Sequence, residues 1–189
     1  CLAGTVHAAD AEQTTPLQFY TGSNNSYAKA TLQVEVGLFD QGNSWFGNSR
    51  EALGEKSDSW WESLIRPGLE GSYFLPNTQE IYGRVDAVQA NTGGGLDAAA
   101  SNAGLGDVSD LRVENAYAGW RSGNLFSSLG ENFLDISFGR QQYKVGDGFL
   151  LYSYAGSGGD RGASWIGGRR AAEYAGIVRM KTGGLNVDL

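Results

Sequence analysis

Ala30-Thr31-Leu32-Gln33-Val34-Glu35-Val36-Gly37-Leu38 is the stretch that decides the fold class of this chain. Ala30, Leu32, Val34, Val36 and Leu38 recur at a period of two on one face, and Thr31, Gln33, Glu35 and Gly37 occupy the other. That period means a β-strand, because a helical repeat of 3.6 residues would scramble both sets. Working outward, the same alternation predicts strands at 29–39, 60–74, 80–90, 111–120, 134–141, 169–181 and from 185 onward.

The connectors between these seven stretches alternate in length. Those at 40–59, 91–110 and 142–168 are long, 75–78 and 182–184 are turns, and 121–133 is of medium length. Transmembrane barrels have short turns on one side of the membrane and long loops on the other, so the fold class expected is all-β, an antiparallel transmembrane β-barrel of which about seven strands are present. Strand height agrees. The steps from Trp61 to Tyr73, at about 3.3 Å each, span about 40 Å, and a tilt of about 40° reduces this to about 30 Å. Soluble strands are commonly only about 5–6 residues long. The strand that ends at residue 189 predicts that the sequence is part of a longer barrel.

Three local features need separate treatment. Pro67 lies inside a predicted strand, and proline cannot donate to a ladder, so it marks an edge or a bulge. At 111–120 the pattern sets Arg112 and Glu114 on one face and Val113 and Tyr117 on the other. At 134–141, Leu134, Ile136 and Phe138 oppose Asp135 and Ser137, and strict parity puts Arg140 on the apolar face; a bend or bulge at Gly139 would resolve that conflict.

Composition narrows the function. The chain has 189 residues, a formal charge of -7, 29 glycines and 3 prolines. No apolar run approaches the ~18 residues of a membrane helix, so any crossing falls to strands in a closed barrel. With no basic cluster larger than Arg169-Arg170, no nucleic-acid partner is expected. One cysteine excludes an internal disulfide framework. The opening residues, ending in Val6-His7-Ala8, read as the tail of a secretory signal peptide, with a lipidated Cys1 and a plain cytosolic start as the competing readings. The organisation expected is a signal remnant at 1–8, a lead-in at 9–27 and barrel at 28–189.

The chemistry gives mainly negatives. The only histidine, His7, lies in that leader, which disfavours a Ser-His-Asp hydrolase or a histidine-ligated zinc site. The run 162–167 misses the nucleophile-elbow spacing by one residue. Glu62 and Glu70 are about 26 Å apart along one strand, too far for a glycosidase pair. Gly158-Gly159-Asp160 has the residue types of a calcium loop but does not repeat. Neither an enzyme nor a cofactor or metal is expected. What remains is a polar face on which Arg66, Arg84, Arg112 and Arg179 sit among Glu35, Glu62, Glu70, Asp86, Glu114 and Glu173. In a soluble sheet this is a solvated face; in a barrel it lines a water-filled lumen.

Leu64-Ile65-Arg66-Pro67, Arg112 with Tyr117-Ala118-Gly119, Phe138-Gly139-Arg140-Gln141 and the strand at 170–176 together resemble the alginate-export family of outer-membrane porins. The resemblance covers roughly residues 28–189 and implies a monomeric barrel of about eighteen strands with arginines at its constriction. It matches Arg66, Arg112 and Arg140 to family arginines. The pore-lining candidates are thus Arg66, Arg84, Arg112, Glu114, Arg140, Glu173 and Arg179. The function expected is passive diffusion of a polar or anionic solute, such as a polysaccharide or sugar acid, across the outer membrane of a Gram-negative bacterium, through a lumen narrowed by an inward-folded loop at 142–168. Two alternatives stand beside it. One is a secreted carbohydrate-binding β-sandwich with Trp45, Trp60 and Trp165 as exposed stacking platforms; the other is an adhesin on a barrel scaffold.

Overall fold

A computed structural model describes residues 17–42, 57–94, 108–144, 162–163, 165–167 and 171–188. The leader, Trp45, Asp160 with its neighbouring glycines, and Arg169-Arg170 lie outside the described residues.

Eight strands form one antiparallel sheet: β1 (Leu17–Thr21), β2 (Tyr27–Gly42), β3 (Ser57–Phe74), β4 (Glu80–Gly94), β5 (Val108–Arg121), β6 (Leu134–Gln141), β7 (Ala172–Thr182) and β8 (Leu185–Asp188). Each strand pairs with its neighbour in sequence, so the topology is an up-and-down meander. The sheet is not closed among the described residues; β1 and β8 are its edges. No helix among them is long and apolar enough to cross a membrane.

All seven alternating stretches are strands. β1 is additional, formed by Leu17-Gln18-Phe19-Tyr20-Thr21 inside the stretch read as a lead-in. Its alternation is hidden because the ladder with β2 shifts between Gln18 and Tyr20. The central strands outrun the apolar pattern: β2 has 16 residues, β3 18 and β4 15. Pairing of backbone amides continues past the last alternating side chain, as Trp60 opposite Gly94 and Thr92 opposite Val108 illustrate.

The two faces of the sheet are inverted relative to a soluble protein. Leu32, Val34, Val36, Leu38, Ile65 and Leu69 are 45–83% exposed, all on one face. The opposite face holds the buried polar and charged groups Thr31, Glu62, Ser72, Asp86, Thr92 and Glu114. Burying apolar surface normally drives folding, at roughly 25 cal/mol per Å². Here much of that surface is left outside, and the opposite face combines hydrogen bonds and ion pairs with a few buried apolar side chains, Leu64, Val88 and Ala90 among them.

Two irregularities set which side chains reach the polar face. Asp86 faces Asn115 while Ala87 faces Val113, which leaves Glu114 as an extra residue in β5. Parity after this bulge is reversed, so Tyr117 pairs with Arg84 and shares the face of Arg112, not that of Val113 as the simple pattern predicts. Asp86 holds the bulge, accepting bonds from the Asn115 backbone N–H at 3.0 Å and its side-chain amide at 2.9 Å. The second irregularity falls at Gly139, where φ is +131° and the β6–β7 register shifts before Gln141. A Cβ there would stand 2.3 Å from the Ala116 carbonyl oxygen, so only glycine fits.

Candidate functional site

The polar face divides into two ends. Connectors 22–26, 75–79, 122–133 and 183–184 join the strands at one end, and the strand ends that lead into 43–56, 95–107 and 142–171 lie at the other.

Near the short-connector end, direct cross-strand register aligns Glu80, Arg121, Asp135, Arg179 and Asp188 across five strands. The signs alternate along this row. Arg121 Nη1 lies 2.7 Å from Glu80 and its Nε 3.2 Å from Asp135, while Arg179 reaches Asp135 and Asp188, each at 3.9 Å. Four residues further up the strands a second chain joins Lys29, Glu70, Arg84 and Asp86, with Lys29 Nζ 2.6 Å from Glu70 and Arg84 Nε 2.6 Å from Asp86. Opposite charges directly across a ladder stabilise it, each pair by ~0.2–1 kcal/mol. Tyr82 links the rows. Its ring lies over Gly119, where a Cβ would come within 2.3 Å of it, and its hydroxyl donates to Asp135. The Arg121 guanidinium stacks on the same ring at 4.3 Å.

Arg66, Arg84, Arg121 and Arg179, with Tyr82 and Tyr117, line a cleft of about 290 Å³. Three of these arginines are held from behind by carboxylates, and Arg66 Nη1 donates to Gln33 Oε1 at 3.1 Å. The cleft therefore presents guanidinium and phenol groups fixed by the wall itself, an arrangement suited to polar oxygens.

The sequence-predicted residues distribute unevenly. Arg66, Arg84 and Arg179 come together in the cleft. Arg112 does not join them; it pairs with Asp110 at 3.1 Å nearer the long-connector end. Arg140 sits opposite Ala116, and its Nε donates to the Glu114 carbonyl at 3.1 Å, so the expected irregularity at Gly139 exists without carrying Arg140 into the cleft. Glu114 is buried, and its carboxylate accepts the Ala171 N–H at 2.8 Å. Glu173 is exposed at the start of β7. Sequence reasoning missed Arg121, Tyr82 and Tyr117. Arg121 falls in the connector that the sequence pattern places at 121–133, and its pairing with Glu80 and Asp135 follows only from register.

At the long-connector end, part of the 142–171 connector lies on the polar face. Glu62, fully buried, accepts the backbone N–H groups of Trp165 at 2.9 Å and Ile166 at 3.0 Å. Thr92 Oγ1 accepts the Ala163 N–H at 2.7 Å. Gly37 leaves room for Ile166, whose Cγ2 would be 3.2 Å from a Cβ there. Phe39 and Trp60 stack at 5.0 Å, and Trp165 tilts against them at 6.1 and 5.4 Å. Trp60 is only 5% exposed, which removes it as the exposed platform that the sandwich alternative requires. Among the described residues no cluster of His, Cys, Asp and Glu could hold a metal ion. No protein-family model, curated protein or solved structure matches this chain.

Proposed function

We propose that this chain is part of the wall of an outer-membrane channel for passive diffusion of a polar solute, and that it is not an enzyme. The observation that carries the reading is the inversion of the sheet: Leu32, Val34, Ile65 and Leu69 are exposed while the ionised side chains face each other on the opposite side. In water such a surface would aggregate; in a bilayer it is the lipid-facing band of a barrel, and the polar side is its lumen. The long strands, the meander order and the alternating connector lengths support the same reading. So does the 162–167 segment lying on the polar face, as a constriction loop would.

The cleft suits a solute with many oxygens. Its guanidinium groups replace part of a passing solute's hydration, while the carboxylates behind them keep the local charge balanced. Resemblance to alginate-export porins fits this, with a polysaccharide or sugar acid as the class of cargo and the outer membrane as the location. Among the described residues the single-sheet meander gives the sandwich alternative no second layer.

The test is conductance of the full-length protein in a planar bilayer, together with fractionation. Discrete channel openings and recovery in the detergent-soluble membrane fraction are expected. A protein that stays soluble without detergent and never conducts would overturn the proposal.

A further inference from the structure

We infer that Trp165 is a stacking platform for a sugar ring, and that Glu62 is the positioning residue that mounts it. This rests on the channel reading for the direction in which the platform faces, and it adds a binding site distinct from the arginine cleft.

Trp165 is 49% exposed, although it contacts two other aromatic rings. Phe39 and Trp60, stacked with only 14° between their planes, back it from the wall. Of the three rings Trp165 leaves the most surface free, Phe39 being only partly exposed and Trp60 buried. Its position is held by its own backbone: both its N–H and that of Ile166 end on the Glu62 carboxylate, which lies fully buried in β3. Ala163, two residues earlier, is fixed to Thr92 of β4, and Gly162 lies where a Cβ would stand 3.1 Å from the Ala90 carbonyl oxygen. A rigid indole with one supported side fits the C–H face of a pyranose, whose outward hydroxyls then need polar partners. The same side of the sheet supplies them. Glu35, Gln33 and Arg66 form a hydrogen-bonded series that leads along β2 and β3 from Gly37 toward the arginine cleft. A linear oligosaccharide stacked on Trp165 would run along that series.

Titration calorimetry on the detergent-solubilised full-length protein tests this, with maltohexaose as a neutral probe and a linear oligouronate as an anionic one. Wild type binds at least one of them, Trp165→Ala weakens binding at least tenfold, and Trp165→Phe loses less. Glu62→Ala lowers affinity several-fold and removes the near-ultraviolet circular dichroism of the packed indoles, and Glu62→Gln, which keeps one acceptor oxygen, restores part of both. Equal binding by Trp165→Ala, or no binding of either sugar by wild type, overturns the inference. Failure of the channel reading is seen separately, as absent conductance in a planar bilayer, because the calorimetric measurement needs no open pore.

Discussion

The two ends of the polar face solve the burial of charge differently. At the short-connector end, arginines and carboxylates pair with one another in an alternating row from Glu80 to Asp188, and Arg121, Arg179 and Asp188 stay 38–41% exposed. At the long-connector end, the buried carboxylates of Glu62 and Glu114 receive backbone N–H groups from the returning connector. An ion pair at a wet surface contributes little, about 0–1 kcal/mol, because water competes for both partners. A buried carboxylate taking two amide hydrogens has no such competitor, and removing it leaves donors stranded at ~1–3 kcal/mol each. The first end is thus adjustable in charge at small cost to the fold. The second is a mount, and its side chains are structural before they are electrostatic.

The wall between the two ends breaks most completely at Gly139. Gly139→Val puts a branched side chain at φ +131° against the Ala116 carbonyl and the Tyr117 Cα. The expected loss is at least about 4 kcal/mol, seen as failure to refold into detergent micelles. Next comes the exposed apolar face shared by both ends. Val34→Arg places a charge in the middle of the exposed apolar stretch of β2, for an expected cost of ~2–4 kcal/mol in a bilayer. Urea titration in liposomes measures this. Equal stability of the variant in liposomes would remove the lipid from that face.

Glu62→Ala then separates the ends directly. About 2 kcal/mol of local stability is lost at the mount, because the Trp165 and Ile166 amides lose their acceptor. Hydrogen exchange at those two amides accelerates, while exchange in β6 and β7 stays unchanged. Acceleration spread evenly through the sheet would show that the two ends are one cooperative unit.

Legibility in the sequence follows the same division. Where one face is continuously apolar, as in 30–38, the period of two alone assigns the side chains to their faces, and in β3 it places Trp61, Ile65, Leu69 and Tyr73 correctly although apolar Leu64 lies buried on the polar side. It fails where an extra residue enters silently. Arg112-Val113-Glu114-Asn115 contains no glycine or proline to mark the bulge, so Tyr117 is read on the wrong face. Gly139 is the opposite case, since the misplaced Arg140 signals the irregularity in advance. In the candidate site, Arg66, Arg84 and Arg179 were readable from parity, whereas Arg121 needed its cross-strand neighbours. The role of Glu62 was hidden because its partners lie a hundred residues away on a backbone that carries no side-chain signature.

The smallest effect sharpens the comparison from the adjustable end. Arg179→Ala removes two contacts of 3.9 Å between half-exposed groups, so its expected cost is under about 0.5 kcal/mol. Arg121→Ala removes two shorter contacts and a guanidinium stacked on Tyr82, for about 1 kcal/mol. Both variants leave Asp135 with one basic neighbour fewer. Because the fold barely depends on either, on the proposed channel reading the change is expected in permeation, as a reversal potential moved toward cation preference under a salt gradient and damped at high ionic strength. The shift should be similar for the two variants although their stabilities differ, since each removes one positive charge from the same row. A stability loss from Arg179→Ala as large as that from Glu62→Ala would mean that this row is a second mount, and the division between the ends would fall.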